Sequence, residues 1–86
     1  MTEVTVRYWA AARDAAGTAG ETVCAETLAD VFSEIIARHG AGGRLAMILE
    51  CSSILVDETR ANKAAASSIA LESGACVEVL PPFAGG

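Results

Sequence analysis

The chain has 86 residues and a mass of 8.8 kDa, which gives room for one small domain. Apolar residues make up 52% of it, which excludes an intrinsically disordered chain. The net charge of −5 disfavours nucleic acid and anionic membrane surfaces as partners. A partner with a basic docking surface is expected, although acidity that serves solubility alone fits the same counts.

The cysteines and the N-terminal residues indicate the compartment. Cys24, Cys51 and Cys76 are odd in number and widely spaced, and His39 is the only histidine, so neither a disulfide framework nor a metal site is expected. No apolar run is long enough to cross a membrane, and the first residues do not resemble a signal peptide. We expect a cytoplasmic protein in which Cys51 and Cys76 are small buried residues at strand starts.

The first 25 residues predict a hairpin. Alternating apolar residues predict a strand over residues 2–9 with one face in the core. Alanine-rich residues 10–16 favour a helical turn, and Trp9 is expected to pack beneath it. Two glycines in residues 17–20 indicate a turn, and residues 21–25 form the second strand.

The clearest element is a helix over residues 27–39. Thr27 and Asp30 have the capping-box spacing at its start, and Gly40 is placed to end it. Its apolar residues fall on one helical face: Leu28, Val31, Phe32, Ile35 and Ile36.

The second half of the chain supplies the remaining strands. Residues 42–50 are compatible with a short helix or a strand, and residues 51–57 are a strand candidate. Residues 58–68 are small or polar and predict a loop, with or without a minor edge strand. Residues 76–80 are β-branched and apolar enough for a central strand. The order predicts an α+β fold in which one main helix covers a mixed sheet of four to five strands, with β-grasp as the natural arrangement.

The final six residues are the most informative segment: Pro81, Pro82, Phe83, Ala84, Gly85 and Gly86. Two prolines end strand pairing and favour an extended path, and six extended residues reach about 20 Å. We therefore expect a β-grasp domain over residues 1–80 and a flexible tail over residues 81–86. Such a tail could deliver the carboxylate of Gly86 to a remote active site, where ATP adenylates it and sulfur or an amine follows. An unstructured terminus without function is the competing interpretation.

Residues 4–8, 10–17, 55–58 and 80–86 resemble the MoaD/ThiS family of ubiquitin-like sulfur carriers, and the resemblance spans essentially the whole chain. Two turns depart from the usual family pattern. Gly-Ala-Cys-Val at residues 74–77 stands where the family usually has Gly-Asp-Glu-Val, and Val-Asp-Glu stands where many members have Val-Asn-Gly. Both departures affect surface charge and partner contacts and leave the tail unchanged.

The resemblance implies a β-grasp fold and a sulfur-carrier subunit of molybdopterin synthase. A ubiquitin-activating-type adenylyltransferase, MoeB-like, would adenylate Gly86 with ATP and Mg. A sulfur donor such as a cysteine desulfurase or rhodanese would then yield a thiocarboxylate. This end would donate sulfur to cyclic pyranopterin monophosphate and so form the molybdopterin dithiolene.

The family also implies a partner and a division of labour. The active site is expected in a MoaE-like large subunit, with which the carrier forms a heterotetramer, and the carrier itself binds no cofactor. Gly85 would permit a close fit in the channel of the large subunit. The four preceding residues would guide the tail: Pro81, Pro82, Phe83 and Ala84.

Three other functions remain open: a sulfur carrier for thiazole or cysteine biosynthesis, a ubiquitin-like protein modifier joined to lysines, and a plain interaction domain. The two prolines before the tail and the chain length favour the molybdopterin pathway.

Overall fold

The structure, a computed structural model, describes residues 2–82 and contains a five-stranded sheet packed against helices. The elements in chain order are β1 (Glu3–Tyr8), α1 (Ala10–Ala16), β2 (Gly20–Cys24), α2 (Leu28–His39), α3 (Arg44–Cys51), β3 (Ser53–Val56), β4 (Thr59–Arg60), a 3-10 helix (Lys63–Ser68) and β5 (Cys76–Leu80). Among residues 2–82, no helix combines the length and the apolar character that crossing a membrane requires.

The strand order across the sheet is β2-β1-β5-β3-β4. The first strand, β1, pairs in parallel with the last strand, β5, and every other pair is antiparallel. The first and last strands are therefore neighbours in the middle of a mixed sheet, which is the β-grasp arrangement. The predicted α+β fold and the predicted number of strands are confirmed.

The core lies between the sheet and α2. Strand alternation sends one side of β1 and β5 into it, and α2 contributes the stripe that the sequence predicted. The fully buried residues at its centre are Val4, Val6, Leu28, Val31, Ile35, Ile54, Val77 and Val79.

The ends of α2 follow the predicted chemistry. The Thr27 hydroxyl accepts the Asp30 backbone N–H at 3.2 Å, and the Asp30 carboxylate accepts the Thr27 N–H at 3.2 Å. Gly40 has φ +98° and donates its N–H to the Ile36 carbonyl at 2.8 Å. Both orphaned ends of the helix are thus hydrogen-bonded, as a capping box and a C-terminal glycine provide.

The segment over residues 42–50, which by sequence fits a helix or a strand, lies mostly in the helix α3, and this corrects the expectation for Cys51. Cys51 is the last residue of α3 rather than the start of a strand, and it is exposed. Leu45 and Leu49, four residues apart, are the buried residues of α3, which is the spacing of one helical face. Residues 58–68 include the short edge strand β4 and the 3-10 helix.

Candidate functional site

The candidate site is the end of β5, where the predicted tail leaves the sheet. β5 is the central strand, flanked by β1 on one side and by β3 on the other. It ends at Leu80; Pro81 is buried and Pro82 is exposed. The remaining site candidates, Phe83, Ala84, Gly85 and Gly86, lie outside the described residues, so the domain boundary and the tail stay predictions.

Strand pairing holds the end of β5 on both sides. Ser53 is the register partner of Leu80, and the Trp9 N–H donates to the Val79 carbonyl at 3.2 Å. The next residue, Pro81, has no N–H with which to continue the ladder, which is why pairing stops at this point. The base of the tail is therefore fixed by the two strands that flank it.

The sheet face opposite the helices carries an apolar patch beside this point, formed by Trp9, Leu55 and Leu80. Leu80 alternates with the buried residues of β5, so its side chain lies on the open face. Leu55 pairs with Glu78 and is therefore a diagonal neighbour of Leu80 on that face. Leu55 and Leu80 are half-buried and Trp9 is 40% exposed. Apolar side chains grouped on an open sheet face are typical of surfaces that contact other proteins.

Trp9 corrects an expectation from the sequence, because it does not pack beneath α1. The strand alternation of β1 continues through residue 9 and turns the indole to the same face as Arg7. The Arg7 guanidinium carbon lies 5.3 Å from the centroid of the Trp9 ring, within the range of a cation–π interaction. The buried residue of α1 is Ala12 instead.

Lys63 is hydrogen-bonded to the end of α3 and to the residue before β3, the strand that pairs with the end of β5. Its Nζ donates to the carbonyls of Leu49 at 2.6 Å, Glu50 at 2.7 Å and Ser52 at 2.8 Å. These carbonyls belong to the last turn of α3 and the residue after it, where a cation also complements the helix dipole. Ser52 precedes the residue that pairs with Leu80, so Lys63 stabilises the α3–β3 junction directly beside the tail base.

A polar cluster ties the sheet to α2 on the core side of β1. The Glu21 carboxylate accepts the Tyr8 hydroxyl at 2.6 Å, contacts His39 Nε2 at 2.7 Å and accepts Arg38 Nη1 at 3.1 Å. Arg38 also donates to the Thr22 carbonyl at 2.9 Å. Tyr8 is the register partner of Val79, so the strand residue of this cluster lies at the end of the sheet from which the tail leaves.

The cluster shifts two ionisable groups. Burial of Tyr8, reinforced by its hydrogen bond to Glu21, raises the pKa of the phenol. Burial by itself would raise the pKa of Glu21, but the hydrogen bonds from Tyr8, His39 and Arg38 outweigh it and lower that pKa. Glu21 is therefore an ionised structural acceptor rather than a proton donor.

The two turns that depart from the family pattern meet in the structure. Asp57 and Glu58, between β3 and β4, have φ +47° and +70°, which is the conformation of a two-residue hairpin turn. Asp57 Oδ1 accepts the Cys76 N–H at 2.9 Å, and the Asp57 N–H donates to the Cys76 carbonyl at 2.9 Å. Burial, followed by the charge of Glu78, raises the pKa of the Cys76 thiol, which argues against a nucleophile there.

Residues 2–82 include only part of the site that the sequence predicted. The sequence singled out Pro81 and Pro82, gave no role to Lys63 or Glu21, and wrongly predicted that Trp9 packs beneath α1. A signal for Lys63 was present, since it is the only lysine of the chain. Within residues 2–82, no three His, Cys, Asp or Glu side chains converge to hold a metal ion.

Comparisons with known proteins identify the same family and fold. A model of the ThiS family matches residues 6–86. The small archaeal modifier protein 1 from Methanosarcina acetivorans is 23% identical, with a TM-score of 0.82 over 100% of this chain and 98% of its own. A putative molybdopterin converting factor, subunit 1, from Pyrococcus furiosus is 23% identical, with a TM-score of 0.75 over 96% of this chain and 100% of its own.

A third similar structure is a complex of subunits 1 and 2 of the molybdopterin-converting factor from Helicobacter pylori. The matching chain is 18% identical, with a TM-score of 0.72 over 99% of this chain and 100% of its own. No curated protein matches the chain. At these identities the solved structures show the β-grasp fold, and the family model shows the family.

Proposed function

The chain belongs to the ThiS family of ubiquitin-like sulfur carriers, and on that premise we propose that it is the sulfur-carrier small subunit of molybdopterin synthase. The observation that carries the proposal is the end of β5: a central strand stops at Leu80, beside the open apolar patch, and is followed by Pro-Pro-Phe-Ala-Gly-Gly. A fixed base next to a contact surface suits a tail that must enter a second protein.

The proposed chemistry takes place at Gly86. The carboxylate attacks the α-phosphate of ATP, pyrophosphate leaves and an acyl-adenylate forms. Hydrosulfide then attacks the acyl carbon, AMP leaves with the electron pair of the C–O bond, and the resulting thiocarboxylate is the sulfur donor. Residues 2–82 contribute no reacting group to these steps; they position the tail, and the adenylating enzyme supplies ATP, Mg and transition-state stabilisation. Glycine at residues 85 and 86 removes side chains from the segment that enters a narrow channel.

The proposed partner of the open face is a MoaE-like large subunit, in a heterotetramer. A few residues at the centre of an interface provide most of its binding energy, tryptophan prominent among them, and Trp9 lies with Leu55 and Leu80 on the face beside the end of β5. The Helicobacter pylori complex of subunits 1 and 2 supports a partner of this class. Arg7 and Arg60 border the patch among the acidic residues of the face, so the interface would combine apolar and charged contacts.

The decisive experiment follows sulfur onto the chain and off it again. The protein is incubated with a MoeB-like adenylyltransferase, ATP, Mg and a sulfur donor, and intact mass is measured. We expect a gain equal to sulfur replacing one oxygen. Adding a large subunit and cyclic pyranopterin monophosphate should then form molybdopterin and return the carrier to its starting mass.

A variant that lacks Gly86 is the matched control, because it leaves the folded domain intact while removing the reacting group. It should neither gain mass nor support molybdopterin formation. Turnover by this variant, or a sulfur-loaded carrier that a functional large subunit never unloads, would refute the assignment. In the second case thiazole and cysteine biosynthesis are the pathways to assay next.

A ubiquitin-like modifier is the second candidate, favoured by the likeness to the small archaeal modifier protein 1. It shares the adenylation step and differs in the acceptor, which is a lysine amine. Tagged protein expressed with its activating enzyme would then give covalent conjugates that depend on Gly86. Absence of conjugates together with molybdopterin formation selects the carrier.

A further inference from the structure

Lys63 combines two properties that bear on acyl transfer. It is the only lysine in the 86 residues, so it is the only side-chain amine that could accept an activated acyl group. Its Nζ is also hydrogen-bonded to three backbone carbonyls, with all three distances between 2.6 and 2.8 Å. An ammonium group has three N–H donors, so these three carbonyls engage all of them.

Acylation of this nitrogen requires the contacts to break. The amine must attack the carbonyl carbon of an acyl-adenylate; a C–N bond forms, the C–O bond to phosphate breaks, AMP leaves with the electron pair and the amine proton passes to solvent. An ammonium nitrogen has no lone pair, so it can attack only after it gives up a proton, and with it a hydrogen bond to one of the carbonyls of Leu49, Glu50 and Ser52. Hydrogen bonds from charged donors are also stronger than neutral ones, so release of Lys63 is unfavourable.

The surroundings of Lys63 reinforce this restriction. The side chain is half-buried, and the carbonyls that it holds belong to the last turn of α3 and to the start of the segment leading into β3. These acceptors are backbone atoms at fixed positions, so side-chain rotation elsewhere cannot free the amine. The amine is freed when the Lys63 side chain rotates away from the carbonyls, which forfeits all three hydrogen bonds, or when the α3–β3 junction moves, and that junction is paired with the central strand through Ser53.

We propose that the fold withholds its only lysine from acyl transfer, so that an activated end of one copy is not passed to the side chain of another. The biological consequence rests on the proposed activation of Gly86, because only an adenylated terminus poses the risk. The protection of Lys63 itself does not, since it follows from the three hydrogen bonds alone. In this chain the same hydrogen bonds therefore stabilise a helix end and keep the lysine side chain from accepting the activated terminus of another copy.

A competition within one molecule tests the protection. Arg60→Lys creates a second lysine at an exposed position three residues away and leaves the net charge unchanged. The folded variant is treated with N-hydroxysuccinimidyl acetate, and tandem mass spectrometry of the peptide containing both lysines gives the acetylation rate of each. Lys63 should react at least about fivefold more slowly than the introduced lysine. In concentrated urea, where the carbonyl contacts are lost, the two rates should become equal.

Each outcome decides the matter. A smaller difference in the folded protein overturns the proposal, and so does a difference that persists in urea, because it would then come from local sequence rather than from the fold. The reagent needs no activating enzyme. Failure of Gly86 to acquire sulfur would therefore refute the proposed function but not the protection of Lys63. Fast labelling of Lys63 would refute its protection but not the proposed function.

Discussion

Replacing Glu21 with glutamine tests the polar cluster that joins β1, β2 and α2. The Glu21 carboxylate meets three donors, from Tyr8, His39 and Arg38, at 2.6 to 3.1 Å, and its side chain is only 17% exposed. The glutamine side chain keeps one acceptor oxygen, but its NH2 group replaces the second carboxylate oxygen and faces a hydrogen-bond donor. Leaving a partly buried donor without an acceptor costs about 1–3 kcal/mol, so we expect Glu21→Gln to lower the free energy of unfolding by about 2 kcal/mol near neutral pH.

The sign of the pH dependence follows from the lowered pKa of Glu21. An unfolded glutamate titrates at about 4.3, and the hydrogen bonds hold the folded value below that. The stabilisation is therefore fully present above the unfolded value and disappears as the pH falls through the folded value. The difference between wild type and Glu21→Gln should be largest near neutrality and should shrink under acidic conditions.

The assay is urea unfolding followed by far-UV circular dichroism across this pH range. Glu34→Gln is the matched control: Glu34 also lies near Arg38, at 3.7 Å, but its side chain is 45% exposed. Exposed pairs of this kind contribute about 0.5 kcal/mol or less, so this variant should stay close to wild type. A loss for Glu21→Gln no larger than for the control, or one that is unchanged at low pH, would refute the account of the cluster.

Three further predictions concern the turn, the helix end and the apolar patch. Glu58→Gly should raise the free energy of unfolding by about 1 kcal/mol, because glycine adopts φ +70° without strain. Asp57→Gly removes the acceptor for the Cys76 N–H and should therefore not stabilise the protein; thermal unfolding of the two variants checks this difference. Lys63→Met keeps the apolar stem but removes three hydrogen bonds, and should cost about 2 kcal/mol in urea unfolding; an unchanged midpoint would contradict that cap. Trp9→Ala should weaken binding to a MoaE-like large subunit by about tenfold, measured by calorimetry. The free energy of unfolding should change by less than about 1 kcal/mol. An affinity equal to that of the wild type would exclude the patch from the interface.

Local patterns made much of the fold predictable. The stripe and capping box of α2 depend on residues within a few positions of each other, and the alternation of β1 needs only its own sequence. The strand order depends on pairing between β1 and β5, which are about seventy residues apart; the order of the elements favoured a β-grasp arrangement, and the resemblance to a family implied the same fold. α3 was ambiguous because its apolar residues fit either period over so short a segment.

The supports of the site were less predictable for a physical reason. The partners of Lys63 are backbone carbonyls, which every residue possesses, so no pattern of side chains in the sequence indicates which carbonyls it contacts. The partners of Glu21 lie between 13 and 18 residues away and meet only after the sheet and α2 have packed. The predicted packing of Trp9 beneath α1 was wrong because its side chain stays on the face of β1 that carries Arg7.

The parallel pairing of β1 with β5 has a mechanical consequence. A partner that draws the tail into a channel pulls along the axis of β5, while the hydrogen bonds to β1 and β3 run across that axis. Such a load acts on the whole ladder in shear, so many bonds resist together instead of opening one by one. The central position of β5 therefore lets force applied at the tail pass into the sheet without peeling off an edge.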